Sequence, residues 1–432
     1  MTFAGEVSVF EAMESEVRLY CRTFPAVFNR AKGAELYAED GRRFIDFFCG
    51  AGTLNFGHNN DFIKARLLDY LTADGLTHGL DLYTTAKREF LAALRQRLLE
   101  PRGLDYKVQF CGPTGTDAVE AALKLARKAT GRAGVVAFSG AYHGMSRGSL
   151  SVTGSRRARA AGGVGASSVT FVPFEDGPLG TFDSIGYLDR MLADSSSGMD
   201  IPAAVIVEPL QMEGGIYPAS VSWLRRLREL TARHGILLIC DEIQSGAGRT
   251  GTFFSFEHAR VQPDIVTLSK SLSGYGLPLS IVLLRRGLDV WSPGEHTGTF
   301  RGNQLAFVTA AAALELWDEP AFQANLAASI ARLERFAASV HAVVRRQGMV
   351  LGIDLGSPLR AESVQRRCFE RGLIVELCGR EDEVIKVLPP LTIDAATLER
   401  GLDLLGEVLD QAAAGVGSMA ASPAGVRVAG TR

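Results

Sequence analysis

The stretch 235-GILLICDE-242 shows the pattern that decides the fold, an unbroken apolar run that ends in two acids. A run without alternating polar residues is expected for a strand that is covered on both faces. Helical patterns separate several further runs of the same kind. These runs are 106-YKVQF-110, 134-GVVAF-138, 169-VTFVPF-174, 203-AAVIVEP-209 and 264-DIVTLS-269. Strand–helix alternation predicts an α/β fold with a mainly parallel sheet and right-handed crossovers.

Helices are predicted on the faces of this sheet. The segment 117-DAVEAALKLARKA-129 places Val119, Ala122 and Leu123 on one apolar stripe, and 221-VSWLRRLRELTARH-234 has a similar amphipathic pattern. The predicted large domain is therefore a sheet sandwiched between helices.

The two ends of the chain have different patterns. Residues 24–57 resemble a small antiparallel unit with a turn at 39-EDGR-42. Residues 322–347 have the pattern of a long amphipathic helix. Residues 348–411 predict strands that are followed by a final helix near 394–411.

These patterns predict two domains, as the length of 432 residues also suggests. We expect a large domain at residues 58–325 and a smaller α+β domain built from 1–57 and 326–411. The segment 412–432 contains no aromatic residue and no leucine. It is predicted to be a disordered tail because it has little to bury.

The composition argues against several classes of partner. The net charge is −2, and no Lys/Arg-dense patch with interleaved aromatic residues indicates nucleic-acid binding. No apolar stretch reaches the length of a membrane span, and the N-terminus does not have the pattern of a signal peptide. The six cysteines include no CxxC pair. We therefore expect neither a metal site nor a disulfide framework, and a cytoplasmic location.

An acid and a lysine follow two of the predicted buried strands. Asp241 ends the run 235–240, and Lys270 ends the run 264–269. Open α/β sheets bind ligands beyond the carboxyl ends of their strands. A desolvated lysine there has a lowered pKa and can form a Schiff base, and a carboxylate can hold a pyridine nitrogen protonated. Alone, Lys270 could be a solvated strand-end lysine and Asp241 a helix cap.

A Gly-rich turn precedes the predicted helix in 112-GPTGTDAVEAALKLARK-128. Thr114 and Asp117 fit a capping-box-like start. Free N–H groups at such a helix N-terminus can bind a phosphate, although a plain capped turn is the alternative. The segment lacks the GK[ST] of a nucleotide P-loop and the full GxGxxG spacing, so it does not indicate a nucleotide site.

Three further segments offer candidate groups at the same sheet edge. In 140-GAYHGMS-146, Tyr142 could stack on a flat heterocycle or be a core aromatic residue. In 208-EPLQMEGG-215, Glu208 and Glu213 supply two carboxylates. In the loop 297-TGTFRGNQ-304, Thr299 and Arg301 could bind a phosphate or carboxylate, although such loops are more often simple turns.

Together these motifs resemble the class III (ω-amino acid) aminotransferases of pyridoxal-phosphate fold type I. The resemblance extends from about Phe24 to Leu409 and is carried by 241-DEIQSGAGRTGTFF-254, 270-KSLSGYGLPLS-280 and 297-TGTFRGNQLAF-307. Other stretches look closest to the diaminobutyrate–2-oxoglutarate aminotransferases of ectoine synthesis. These stretches are 47-FFCGAGTLNFGHNN-60, 74-DGLTHGLDLYTTAKREF-90 and 111-CGPTGTDAVEAALKLARKATGR-132.

The resemblance implies roles for the residues that hold the cofactor, pyridoxal 5'-phosphate. Lys270 would be the Schiff-base lysine and proton shuttle, Asp241 would pair with the pyridine nitrogen, and Gln244 would contact the phenolic oxygen. Gly115 and Thr116 would bind the phosphate through backbone N–H groups.

It also implies roles around the ring and the substrate. Tyr142 would stack on the ring with His143 beside it, and Glu208 would be a structural partner near the site. Glu213 matches the family's gating glutamate, which lets one pocket accept both an ω-amine and glutamate. Thr299 would reach the phosphate in the neighbouring subunit, so the active unit would be at least a homodimer.

One position departs from many members of the family. In 384-VIKVLPPLTI-393, Lys386 stands where an arginine commonly holds the α-carboxylate of glutamate. Lysine lacks the bidentate fork of arginine. The resemblance implies that lysine is typical of the diaminobutyrate subgroup. The resemblance leaves open which residue anchors the α-carboxylate of the substrate.

The implied reaction is a ping-pong transamination from L-glutamate to L-aspartate 4-semialdehyde, which gives 2-oxoglutarate and L-2,4-diaminobutyrate. The alternatives are another class III activity, on ornithine, acetylornithine, GABA or β-alanine, an aldehyde aminomutase, or a non-catalytic protein with the same fold. The sequence leaves open whether the product enters ectoine, a siderophore or a peptide antibiotic, and whether the assembly is a dimer or a tetramer.

Overall fold

We describe the fold from a computed structural model of the chain, which describes residues 8–163 and 168–420. In chain order its strands are β1 (Phe28–Lys32), β2 (Glu35–Ala38), β3 (Arg43–Asp46), β4 (Tyr106–Phe110), β5 (Val135–Phe138), β6 (Val169–Val172), β7 (Ala204–Val207), β8 (Leu210–Gln211), β9 (Tyr217–Pro218), β10 (Leu237–Asp241), β11 (Ile265–Leu268), β12 (Ile281–Arg285), β13 (Val343–Gln347), β14 (Val350–Asp354), β15 (Leu373–Ile374), β16 (Glu376–Cys378) and β17 (Val384–Val387).

The helices connect and cover these strands. In chain order they are α1 (Ser8–Met13), α2 (Tyr20–Thr23), α3 (Asp61–Thr72), α4 (Thr85–Ala93), α5 (Gly115–Thr130), α6 (Arg147–Ser151), α7 (Arg156–Ala161), α8 (Ser184–Ala193), α9 (Val221–Arg233), α10 (Gln304–Trp317), α11 (Pro320–Ser339), α12 (Pro358–Glu370) and α13 (Ala395–Ala420). Leu94–Leu99 continues α4 as a π-helical turn. Short 3-10 turns lie at Glu100–Arg102, Ser255–Ala259, Lys270–Ser273 and Arg286–Leu288.

The centre of the molecule is a seven-stranded sheet with the order β4-β12-β11-β10-β7-β5-β6. The neighbours β11-β10, β10-β7, β7-β5 and β5-β6 pair in parallel. This confirms the predicted α/β fold with a mainly parallel sheet. Strand β12 was not among the predicted strands, and it runs antiparallel to both of its neighbours, β11 and β4.

Helices cover both faces of the central sheet. Side chains of α5, such as Val119, pack with Ile239 of β10 on one face. On the other face Trp223 and Leu227 of α9 pack with Leu238. Successive residues of a strand point to opposite faces, so Leu238 and Ile239 reach different helix layers. This arrangement explains why the strand sequence is apolar without alternation.

The two ends of the chain meet in smaller sheets. Strands β1, β2 and β3 pair antiparallel, and the predicted turn at residues 39–42 lies between β2 and β3. Strand β15 then joins β3 in parallel, so segments from both ends of the chain share one sheet. A second antiparallel sheet has the order β13-β14-β17-β16. The domain boundaries near residues 58 and 325 stay a prediction.

The structure corrects the predicted elements of the C-terminal part. The helix predicted at 322–347 ends at Ser339, and Val343–Gln347 form strand β13 instead. Gly348, with a φ of +59°, turns this strand back onto β14. Helix α12 was not predicted. The final helix runs to Ala420, beyond its predicted end near 411. The disordered tail expected at 412–432 stays a prediction, and its residues 421–432 lie outside the described residues.

None of the helices in the described ranges has both the length and the apolar content that crossing a bilayer requires. The six cysteines are all unpaired, and five of them are buried. The same described residues contain no cluster of His, Cys, Asp and Glu side chains that could hold a metal ion.

Candidate active site

Lys270 lies two residues after the end of strand β11 and opens the 3-10 turn Lys270–Ser273. Its φ of 47° lies in the left-handed region, which is strained for a residue other than glycine. The ammonium nitrogen Nζ donates to the carbonyl oxygen of Ala51 at 2.9 Å. Burial lowers the pKa of Lys270, and the nearby Glu213 opposes that effect only in part. A larger fraction of Lys270 therefore carries a neutral, nucleophilic amine than a lysine with an ordinary pKa would.

Asp241 ends strand β10, beside β11 in the sheet, and only 4% of its surface is exposed. Its Oδ1 accepts from Thr267 Oγ1 at 2.9 Å and from the backbone N–H of Ile243 at 3.1 Å. Its Oδ2 lies 2.7 Å from His143 Nδ1. These contacts fix the carboxylate in one orientation at the carboxyl edge of the sheet.

His143 is buried beside Asp241. Burial by itself lowers the pKa of His143, but the hydrogen bond to Asp241 and the negative charges of Asp241 and Glu208 together outweigh it, so the net pKa is raised. Its second nitrogen, Nε2, is buried and has no hydrogen-bond partner among the described residues. A buried polar atom without a partner is costly, so this nitrogen fits contact with a bound polar group.

The N-terminus of α5 lies at the same edge of the sheet. The backbone N–H of Thr114 donates to Asp117 Oδ2 at 3.1 Å, which gives the helix a capped start. A Cβ atom on Gly115 would lie 2.9 Å from Cγ2 of Ile243, so only glycine lets the turn approach the segment after Asp241 this closely. Thr116 Oγ1 lies 2.6 Å from the hydroxyls of both Ser146 and Ser149.

Glu208 links the segment after β5 to the site. Its Oε1 accepts from the backbone N–H of Tyr142 at 2.8 Å, and its Oε2 accepts from that of Met212 at 3.3 Å. Burial raises the pKa of Glu208 to about 7, and Asp241 adds to the effect while His143 opposes it. Its contacts position the segment that carries Tyr142, whose side chain is partly exposed.

Glu213, Gln244 and Lys386 form a second group of contacts. Glu213 Oε1 accepts from Gln244 Nε2 at 2.9 Å and lies 2.6 Å from Lys386 Nζ. Burial would raise the pKa of Glu213, but Lys386 lowers it below its ordinary value. Burial would likewise lower the pKa of Lys386, but Glu213 and Glu376 raise it well above its ordinary value. Both groups are therefore charged at neutral pH.

Two features of the site were missed by the sequence analysis. The first is the segment Cys49–Gly52, in which four consecutive residues have φ between 54° and 81° and form a left-handed turn. Its Ala51 carbonyl accepts from both Lys270 and Gln244. Asp46 Oδ1 accepts from the backbone N–H groups of Phe48 and Cys49 and so fixes the start of the turn. The signal for this turn was the pair of glycines in 49-CGAG-52.

The second missed feature is a partner for Lys386. Glu376 Oε2 lies 2.8 Å from Lys386 Nζ, and Glu376 Oε1 accepts from the hydroxyl of Tyr20 at 2.9 Å. An acid within the apolar run 373-LIVELC-378 was a sequence signal for a buried ion pair.

Most of the predicted site residues lie together, but one does not. Thr299 is exposed, and no hydrogen bond joins it to the other predicted site residues within the described chain. On the same loop, Arg301 pairs with Asp81. The roles of these residues toward a cofactor and a substrate stay predictions.

The residues present fit pyridoxal phosphate. Lys270 offers an amine of lowered pKa, and Asp241 offers a fixed carboxylate for a protonated ring nitrogen. The N–H groups that open α5 suit a phosphate. His143 Nε2 adds a buried polar atom in need of a partner.

Comparison with known proteins gives close relatives along nearly the whole chain. The chain is 54% identical over 411 residues to an uncharacterized aminotransferase of Sinorhizobium fredii, covering 93% of this chain and 92% of that protein. It is 52% identical over 424 residues to a diaminobutyrate–2-oxoglutarate transaminase of Nocardia farcinica, covering 96% and 97%.

Solved structures and a family model agree with these relatives. An ornithine aminotransferase of Toxoplasma gondii matches with a TM-score of 0.82 at 26% identity, over 96% of both chains. A transaminase of Bacillus megaterium has the same fold, with a TM-score of 0.83 at 24% identity over 96% and 99%. The family model for Aminotransferase class-III matches residues 20–409. The chain therefore belongs to the class-III aminotransferase family.

Proposed function

We propose that this protein transfers an amino group from L-glutamate to L-aspartate 4-semialdehyde, with pyridoxal phosphate as cofactor, and forms 2-oxoglutarate and L-2,4-diaminobutyrate. The observation that carries the proposal is the pairing of Lys270 and Asp241 at the ends of adjacent strands, with Lys386 and Glu213 beside them. Relatives that are 49% to 52% identical, such as those of Halalkalibacterium halodurans and Nocardia farcinica, are named diaminobutyrate–2-oxoglutarate transaminases and support this choice of substrates.

Lys270 and Asp241 account for the chemical step. When bound, pyridoxal phosphate supplies an aldehyde carbon and an electron-accepting ring that allow an amino group to pass between molecules. Burial keeps a fraction of Lys270 neutral, so its Nζ would hold the cofactor and would take up and return the proton of the carbon that bears the substrate's amino group. The Asp241 carboxylate stabilises a protonated ring nitrogen, and His143 and Thr267 hold it in place.

Gly115, Thr116 and Tyr142 would hold the cofactor's phosphate and ring, as the predicted roles require. The opening turn of α5 provides N–H donors and the positive end of the helix dipole for the phosphate. Tyr142 is positioned through its backbone by Glu208, and its side chain is 37% exposed and therefore accessible for stacking.

Lys386 and Glu213 serve the two substrates in turn. While Glu213 pairs with Lys386, the site presents little net positive charge to a substrate. A substrate carboxylate can replace Glu213 on Lys386, because the Glu213 side chain is 29% exposed and Gly214 follows it. This exchange would let one pocket take both glutamate and an ω-amine.

We also propose that the protein is at least a homodimer and acts in the cytoplasm. The exposed position of Thr299 suits a contact with the phosphate in a neighbouring subunit. Unpaired cysteines suit a reducing compartment. Sedimentation at the mass of one chain, 46.4 kDa, would contradict the dimer.

The direct test is an assay of the purified, cofactor-loaded protein with glutamate and a panel of aldehydes. We expect aspartate 4-semialdehyde to be the best acceptor and diaminobutyrate to appear in step with 2-oxoglutarate. The fold similarity to an ornithine aminotransferase makes glutamate 5-semialdehyde the main competitor. A higher kcat/KM with that aldehyde, or with succinic semialdehyde, would show that the assigned substrate is wrong.

A further inference from the structure

A continuous chain of polar contacts leads from Lys270 toward the protein surface. Lys270 Nζ and Gln244 Nε2 both donate to the Ala51 carbonyl, each at 2.9 Å. Gln244 Nε2 also donates to Glu213, which pairs with Lys386. Only two polar groups, the Ala51 carbonyl and the Gln244 amide, therefore lie between the Lys270 amine and Glu213. We call Glu213, Lys386 and Glu376 together the acid–lysine cluster.

The acid–lysine cluster contains more acid than base. Lys386 is fully buried, and its Nζ lies 2.6 Å from Glu213 Oε1 and 2.8 Å from Glu376 Oε2. Burial and the neighbouring Glu213 raise the pKa of Glu376, and the Lys386 ammonium opposes this shift only in part. The Tyr20 hydroxyl donates to Glu376 Oε1, a contact that favours the ionised form. With both acids ionised, two carboxylates face one ammonium group, and the cluster has a surplus negative charge.

The two carboxylates differ in how they are held. Glu376 and Lys386 are register partners on the antiparallel strands β16 and β17, so the backbone fixes this pair. Glu213 lies between β8 and β9, followed by Gly214 and Gly215, and its side chain is 29% exposed against 7% for Glu376. When a substrate carboxylate replaces Glu213 on Lys386, Glu376 therefore stays in place.

We propose that Glu376 is a specificity-determining residue, whose fixed negative charge selects substrates that carry an ammonium group beside the carboxylate farthest from the reacting amine. Once Glu213 has moved, Lys386 can bind that carboxylate, and Glu376 can attract that ammonium. This inference rests on the proposed function, since L-2,4-diaminobutyrate has such a head group. The compound 4-aminobutyrate has the same carbon chain and the same reacting amine, but it lacks the second ammonium group.

The test compares these two amines as donors to 2-oxoglutarate in the loaded enzyme. In the wild type we expect a clear preference in kcat/KM for diaminobutyrate. In Glu376→Gln the ratio of the two kcat/KM values should fall about tenfold or more, mainly through KM for diaminobutyrate, because a charge-assisted contact is lost. In Glu376→Asp, which keeps the charge, the ratio should stay well above that of Glu376→Gln.

Glu35→Gln is the matched control. Glu35 is also a buried carboxylate, and it pairs with Arg43 and Arg400 outside the chain of contacts. The same chemical change there should leave the ratio within about twofold of the wild type, because sites that share no partners act nearly independently. A fall in the ratio with Glu35→Gln as large as with Glu376→Gln would overturn the proposal.

Two results distinguish this inference from the proposed function. An unchanged ratio in folded Glu376→Gln overturns the inference, even if the enzyme makes diaminobutyrate. A wild type that does not use diaminobutyrate at all overturns the proposed function. If Glu376→Gln does not fold, the double variant Glu376→Gln/Lys386→Met removes both charges of the buried pair together. Diaminobutyrate and 4-aminobutyrate then both lose their contact with Lys386 equally. An unchanged ratio of their kcat/KM values in that variant therefore also overturns the role of Glu376.

Discussion

Asp241 and Lys270 come together because parallel strands end at the same edge of a sheet. Asp241 pairs in register with Thr267 of β11, and Lys270 lies just beyond the end of that strand. The lysine's amine is turned to the Ala51 carbonyl, while the aspartate is fixed by three hydrogen-bond partners. This geometry suits each residue to the separate task that we propose for it, the amine for proton transfer and the acid for charge stabilisation.

Asp241→Asn is expected to lower kcat by about a hundredfold or more, because an amide cannot balance a protonated ring nitrogen. Steady-state assays with glutamate measure the loss. The control is Asp264→Asn, which changes a buried aspartate just before β11, at the opposite edge of the same sheet, where it pairs with Arg228 and Arg285. That variant should lose stability and keep most of its kcat. Equal kcat losses in the two variants would contradict the role of Asp241.

Glu208 should make stability depend on pH. A carboxyl whose pKa is higher in the folded state binds more protons there than in the unfolded chain, so its ionisation disfavours folding. Its contribution is fully present below pH 4.5 and is lost as the pH rises through about 7. The loss is on the order of 3 kcal/mol at most. Thermal unfolding of Glu208→Gln should therefore show a weaker decline with pH over this window than the wild type, and parallel curves would refute the assignment.

The start of α5 requires a glycine at position 115, because a side chain there would not fit. A methyl group on Gly115 would meet Ile243 at 2.9 Å and push the opening N–H groups away from the segment after Asp241. We expect Gly115→Ala to raise the Kd for pyridoxal phosphate roughly tenfold, measured by titration of the cofactor-free protein. Gly134→Ala is the matched control, because its Cβ would make ordinary contacts of 3.5 Å or more. Unchanged affinity in Gly115→Ala would argue against phosphate binding there.

Six of the seven strands of the central sheet were predicted, because continuous burial leaves continuous apolar runs, and only β12 was missed. The residues 343–347 were wrongly placed in a helix, since VVRRQ alone does not separate a helix end from an edge strand. These residues form a strand because they pair with β14 across the turn at Gly348. A strand is recognised by its partners, and the sequence of one segment does not contain them.

The site was predictable where side-chain chemistry carries the role, as for Asp241 and Lys270. It was not predictable where the backbone acts. The Ala51 carbonyl has no signature of its own, because any residue supplies a carbonyl, and only the left-handed turn aims it at Lys270. The pairing of Glu376 with Lys386 was not predictable either, because it depends on the register of β16 on β17.

Arg249 joins parts of the chain that are far apart in sequence. Its fully buried guanidinium donates to Asn55 Oδ1 from the N-terminal part. It also donates to the carbonyls of Met349 at 3.2 Å and Pro389 at 2.6 Å in the C-terminal part. The arginine therefore joins three segments of the chain, near residues 55, 349 and 389.

Arg249→Met is therefore expected to cost about 3 kcal/mol or more of unfolding free energy, since buried acceptors lose their donors. Arg95→Met is the comparison, because Arg95 is 71% exposed and its ion-pair partner among the described residues is Glu100. That exposed pair should contribute at most about 1 kcal/mol. Urea unfolding of both variants measures the difference, and similar losses would contradict the joining role of Arg249.

The assembled molecule is a class-III aminotransferase. We propose Lys270 as its cofactor lysine, and trapping that linkage tests the proposal most directly. The loaded protein is reduced with sodium borohydride, digested and analysed by mass spectrometry. We expect the pyridoxyl mass on the peptide that contains Lys270, and neither label nor turnover in Lys270→Ala. A label on another lysine, above all the buried Lys386, or full turnover by Lys270→Ala, would contradict the assignment.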